Sequence, residues 1–129
     1  MKIVVNLPFA SRKTAHDWLD AGMRKESAND WLRELGRAIQ PHKDHLSKLI
    51  KDGIKIKVHA AIYGKPNQIK QLDIHDALAQ IADQVTDVLF PRQKGKTTPQ
   101  TEDRHFWQVY AEKIIAEKPK VEIEVEELT

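Results

Sequence analysis

The chain contains no cysteine, which removes disulfides, thiolate catalysis and zinc-finger sites together. Any metal would have to be held by carboxylate, imidazole or backbone oxygen. Long hydrophobic runs are also missing. No window approaches the ~20 consecutive apolar residues that a membrane span needs. The opening run Met1 to Leu7 is too short for a signal peptide and reads as a strand. A cytoplasmic protein with no membrane partner is expected. Gly64-Lys65 lacks the further glycines of a phosphate loop. No Ser/His/Asp or zinc-protease spacing occurs, and no small-molecule cofactor is expected.

The 129 residues suit a single domain able to bury a real core, and 40% of them are hydrophobic. A net charge of +2 conceals an asymmetry. Residues 1–70 carry fourteen Lys and Arg against seven Asp and Glu, whereas residues 71–129 carry seven against twelve. Cations that hold phosphates and carboxylates that hold a metal would divide in this way in an enzyme acting on a polyanion. Ordinary fluctuation of charge along a soluble chain accounts for the same numbers.

Lys2 to Leu7 is a short apolar run closed by Pro8 and predicts a first strand. Phe9 to Glu26 has no sustained period and reads mostly as loop, with a helical turn or two possible at Ala15–Met23. Ser27 is placed as the cap of a helix carrying Trp31, Leu32, Leu35, Ala38 and Ile39, with Asp30 as a weak capping-box partner. Pro41 should break that helix, and His45, Leu46, Leu49 and Ile50 resume it until Gly53. His42 and His45 read as surface residues. Ile54 to Tyr63 alternates as a half-buried strand, and Gly64 to Asn67 reads as a turn.

Asp73 to about Phe90 is the clearest helix, with Leu78, Ile81, Ala82, Val85 and Leu89 opposite Asp76, Gln80, Asp83 and Asp87. Pro91 to Thr101 is a basic loop expected to be mobile. His105 to Ile114 reads as a strand. Val121 to Glu126 alternates as a final strand with one wet face. The resulting order is β-α-β-α-β-β, an α+β single domain spanning 1–129 with a mixed sheet and helices packed on it.

Asp73, His75 and Asp76 stand where a loop enters a helix, and Glu102-Asp103 precede the next strand. Carboxylates are favoured at a helix start by its unpaired N–H groups and positive dipole end. Asp73 as a plain N-cap and Asp76 as a first-turn acid satisfy that preference without any ligand. A metal site is the competing reading, since Asp83 and Asp87 add like charge four residues apart, which does not help a helix. Magnesium needs only a few oxygen ligands and keeps its waters. It could orient a water for phosphodiester hydrolysis. A lysine such as Lys113 could neutralise charge developing on the phosphate.

In this arrangement the chain resembles the RusA-type Holliday-junction resolvases, small endonucleases common in phage and prophage. Leu7-Pro8 after a first strand resembles the family's opening, and Ser27 to Ile39 its first long helix. Asp73-Ile74-His75-Asp76 followed by Ala82-Asp83 and Val88-Leu89-Phe90 resembles its catalytic helix. Glu102-Asp103, Gln108-Val109 and Lys113 resemble the paired acid, strand and lysine that follow, and Lys118 to Glu124 its last strand. The likeness is sharp from Asp73 onward. Three positions depart from it: His75 stands where the family has a second Asp, Asp76 where Asn is usual, and Ala79 where a lysine is expected. Another register would set Gln71 and Asp73 at the two acids. Either register keeps Asp73 and Asp103 as carboxylates.

The resemblance implies a homodimer that cuts four-way DNA junctions with Mg²⁺, for which Mn²⁺ could substitute, in DNA recombination and repair. Asp73, Asp76 and Asp103 would be ligands, with His75 and Glu102 as further candidates and Asp73, Asp76, Asp103 and Lys113 as the catalytic set. Arg12, Lys13, Arg24, Lys25, Arg92, Lys94 and Lys96 are the candidate DNA contacts. Lys55 and Lys57 have a competing role, since they could pair across the sheet with Glu122 and Glu124. Trp31, Phe106, Trp107 and Tyr110 could stack on bases, although aromatics in such elements are more often core. The departures leave open a catalytically weak or inactive DNA-binding relative, and a non-enzymatic interaction domain is the remaining alternative.

Overall fold

The computed structural model describes residues 1–10, 21–89, 106 and 108–128, with residues 21–27 described by their backbone. Among the described residues, four strands and four α-helices follow one another. They are β1 (Lys2–Val5), α1 (Ala21–Ile39), α2 (Lys43–Lys51), β2 (Ile56–Gly64), α3 (Pro66–Gln71), α4 (Ile74–Leu89), β3 (Gln108–Ile115) and β4 (Lys120–Glu127). The strands form one mixed sheet in the order β1-β4-β2-β3, an α+β architecture. β4 is antiparallel to both β1 and β2, and β3 is parallel to β2.

Period-two alternation decides which side of the sheet holds the core. Register rows such as Ile3–Ile123–Ala60 and Val5–Val121–Ile62 place apolar side chains on one face. That face packs into a single cluster with Trp31, Leu35 and Ile39 of α1, Leu46 of α2, Ile69 of α3 and Ala77, Ile81 and Val85 of α4. Trp31 is fully buried, with its ring edge-on to Phe9 at 5.2 Å between centroids. Its indole N–H donates to Gln84 Oε1 at 2.7 Å, which satisfies two buried polar groups and ties α1 to α4. The opposite face carries Glu122, Glu124, Glu126, Lys57 and His59.

Several sequence expectations change. Ser27 lies inside α1 rather than at its start. Asp30 pairs with Arg33 at 3.2 Å instead of closing a capping box. One interior serine costs a helix little when its neighbours are good helix formers. Gly64 to Asn67 is the end of β2 and the start of α3, with Lys65 extended as N-cap and Pro66 in the first turn. Gly64 has a packing reason to be glycine, because an added Cβ would lie 2.8 Å from Ile69 Cγ1. The Ile54 strand does neighbour the Val121 strand, but the register differs from the expected pairing. Lys57 faces Glu126, His59 faces Glu124, and Glu122 faces Ala61.

The break at Pro41 appears as a short 3₁₀ turn, Gln40–His42, between α1 and α2. Gly53 takes the left-handed conformation (φ 72°) that ends α2. The expected loop at 91–101 lies outside the described residues, as does the start of the His105 strand. β3 is described from Gln108. Among the described residues no helix is long and apolar enough to cross a membrane.

Candidate functional site

β2, α3, α4 and β3 together place the N-terminus of α4. α4 follows β2 and the six residues of α3, and the chain returns through β3 parallel to β2. The C-terminal ends of parallel strands are where open α/β sheets tend to place ligands.

Asp73 stands immediately before α4, and its Oδ1 accepts the backbone N–H groups of His75 at 3.0 Å and Asp76 at 3.3 Å. This is the geometry of an N-cap that satisfies two orphan donors. Asp73 and His75 are exposed and Asp76 is half-buried. The carboxylates therefore gather at the positive end of the α4 dipole, in contact with solvent.

Lys113 comes to the same place from β3. Its register partner is Ile62, so it shares the row Val5–Val121–Ile62 on the helix-facing side of the sheet. Val109 and Ala111, two and four residues earlier, occupy that side as partly buried core. Lys113 thus puts an amine where the alternation predicts an apolar group. Its Nζ donates to the carbonyl of Leu72 at 3.0 Å, one residue before Asp73. An ammonium group there faces the positive end of a helix, which is unfavourable unless anions share the site.

Asp73, His75, Asp76 and Lys113 are therefore brought to one end of α4, whereas Glu102 and Asp103 lie outside the described residues. Asp73 and Asp76 offer the hard oxygen donors that suit magnesium. Among the described residues, no three His, Asp or Glu side chains form a group able to hold a metal ion. The described residues alone therefore do not make up a magnesium site.

Of the candidate DNA contacts, Arg24 and Lys25 fall in α1, where the backbone is described. Arg12, Lys13, Arg92, Lys94 and Lys96 lie outside the described residues. The aromatics divide: Trp31 and Phe106 are core, Tyr110 is 51% exposed on the open face of the sheet, and Trp107 lies outside the description. His42 and His45 sit at and just after the 3₁₀ turn, half-buried and exposed respectively.

Two features escaped the sequence reading. The Lys113–Leu72 hydrogen bond depends on the parallel pairing of β2 with β3, and the even spacing Val109, Ala111, Lys113 was its one local signal. The Trp31–Gln84 bond joins positions 53 apart, and a glutamine beside the apolar stripe of α4 carries no sign of its partner. Compared with known proteins, the chain matches no protein-family model and no curated protein.

Proposed function

We propose that this chain is a metal-dependent, structure-selective endodeoxyribonuclease of the RusA type. In this reading it acts as a homodimer in the cytoplasm and cuts four-way DNA junctions by phosphodiester hydrolysis. The observation that carries the reading is Lys113, whose Nζ lies 3.0 Å from the carbonyl preceding Asp73. A cation and two carboxylates at a solvent-facing helix start are what phosphodiester chemistry needs from side chains: charge to hold the metal and charge to offset the phosphate. Asp73, Asp76 and Asp103 would hold Mg²⁺, with His75 or Glu102 beside them. Bound there, the ion would activate water and stabilise the leaving oxygen. Lys113 would neutralise charge developing on the phosphate.

The cap made by Asp73 favours a second reading, in which the dimer binds junctions without cutting them. A carboxylate already satisfied as an N-cap needs no metal to explain it. Gel shift and cleavage of a synthetic four-way junction in Mg²⁺ and Mn²⁺ separate the two readings. Cutting supports the nuclease, a shift without cutting supports the silent binder, and no shift at low salt removes both and leaves an interaction domain. Asp103→Asn should abolish cleavage while leaving junction binding intact or tighter, because a charge repelling the phosphates is lost. Cleavage at full rate in that variant would remove Asp103 from the site.

A further inference from the structure

Next to the start of α4 lies a shallow groove of about 880 Å³ that the proposed chemistry does not use. One wall is Lys65, Pro66 and Asn67 at the beginning of α3, and the other is Ile115, Glu117 and Lys118 at the end of β3. The Ala116 amide donates to the Gly64 carbonyl at 2.9 Å and joins the two walls. Both walls lead to the candidate site. α3, six residues or about 9 Å long, ends at Gln71, two residues before Asp73. Along β3, Ile115 lies two residues beyond Lys113 on the same side of the strand, about 6.6 Å away.

The groove is lined by both apolar and cationic side chains. Ile115 is 68% exposed, the most open large hydrophobic side chain among the described residues, and Pro66 is exposed opposite it. Lys65 and Lys118 are exposed as well, and Glu117 is the one acid among the lining residues. Two ammonium groups flanking an apolar surface complement a nucleic-acid strand, whose phosphates are anionic and whose sugars and bases present apolar faces.

We infer that this groove holds the DNA strand that runs on from the cut site, with Lys65 and Lys118 on its phosphates and Pro66 and Ile115 against a nucleoside. The inference rests on the nuclease or silent-binder reading above. It adds two residues that lie outside the basic clusters of the sequence.

The test is the salt dependence of binding, measured by fluorescence anisotropy with a labelled four-way junction in EDTA over a KCl series. Neutralising one phosphate contact should reduce the slope of log K against log[KCl] by about 0.7–0.9. Lys65→Met and Lys118→Met should each show that reduction, and the double variant about 1.4–1.8. Lys65→Arg/Lys118→Arg should keep the wild-type slope, as should Lys48→Met on α2. Both lysines are exposed, so the fold should tolerate these changes, and thermal melting checks that it does. If the wild-type protein binds the junction and the double methionine variant has the same slope, the groove assignment is overturned while the proposed function stands. If the wild-type protein fails to bind the junction at low salt, both fall. A double variant that changes from dimer to monomer with an unchanged slope would give the groove to a second copy of the chain and overturn the inference.

Discussion

At Asp73 a helix cap and a proposed ligand fall on the same carboxylate, and two substitutions pull them apart. Asparagine caps a helix about as well as aspartate, whereas alanine does not. Asp73→Asn should leave the melting temperature close to wild type, and Asp73→Ala should cost roughly 0.5–2 kcal/mol. Thermal or urea denaturation of the pair checks this, and equal losses in both would mean that the Oδ1 contacts to His75 and Asp76 do not support α4.

On the other face of the sheet, Glu122 accepts from Lys120 at 2.9 Å and from Lys2 at 3.2 Å. The Lys120 hydrogen bond, followed by that from Lys2, holds its carboxyl below the ordinary 4.5. The Glu122 hydrogen bond in turn raises Lys120 above its ordinary 10.5. A depressed carboxyl contributes stability above its unfolded value and loses it as pH falls through the folded one. A raised amine contributes below its unfolded value and loses it as pH rises through the folded one. The cluster is therefore at full strength between about 4.5 and 10.5. Glu122→Gln should be less stable than wild type near neutrality, with the gap closing as the pH is lowered below 4.5. A gap that stays constant from pH 7 to pH 3 in urea titrations would contradict the assignment.

Among the elements, α3 shows how far local pattern reaches. Gly64-Lys65-Pro66-Asn67 carries the residues of a turn, and a turn is what it predicts locally. Proline in the first turn of a helix uses the same dihedral preference, and only the packing of Ile69 into the core distinguishes the two outcomes. Gly64→Ala tests that packing, because its Cβ would press on Ile69. A loss of roughly 1–3 kcal/mol is expected, and Ile69→Ala in the same chain should relieve part of the clash. Independent, additive losses would mean that the contact is not tight.

α1 and α4 give a second comparison. Their apolar stripes were legible in the residues, and Trp31, Leu35, Ile39, Ile81 and Val85 are all buried as the spacing implies. The start of α1 was not legible, since Ser27 is as suited to a cap as to a helix interior. Gln84→Leu would leave the Trp31 indole N–H buried without an acceptor and should cost about 1–3 kcal/mol. Trp31→Phe should cost less in the Gln84→Leu background than it does alone, and denaturation of the double-mutant cycle measures that coupling.

Across the whole molecule, the α+β architecture and the mixed sheet follow from the alternation of strands and helices, and β4 is the clearest case. Val121, Ile123 and Val125 point inward while Glu122, Glu124 and Glu126 point out. The strand order β1-β4-β2-β3 was not legible, because pairing β4 between the first two strands depends on contacts more than fifty residues apart. That order brings Lys113 to Leu72 and unites one half of the candidate site. The residue types at the start of α4 drew attention to Asp73, His75 and Asp76, and Glu102 and Asp103, raised on the same ground, lie outside the described residues. Sedimentation should give twice the chain mass if the proposed homodimer forms.

The proposed nuclease depends on the carboxylate of Asp73 acting on DNA as well as capping α4. Cleavage of a synthetic four-way junction in Mg²⁺ by purified wild-type protein and by Asp73→Asn tests it most directly, because the asparagine keeps the cap. Paired strand cuts are expected from the wild-type protein and none from a folded, junction-binding Asp73→Asn. Equal cutting by both proteins, or no cutting by the wild-type protein in either Mg²⁺ or Mn²⁺, would contradict it.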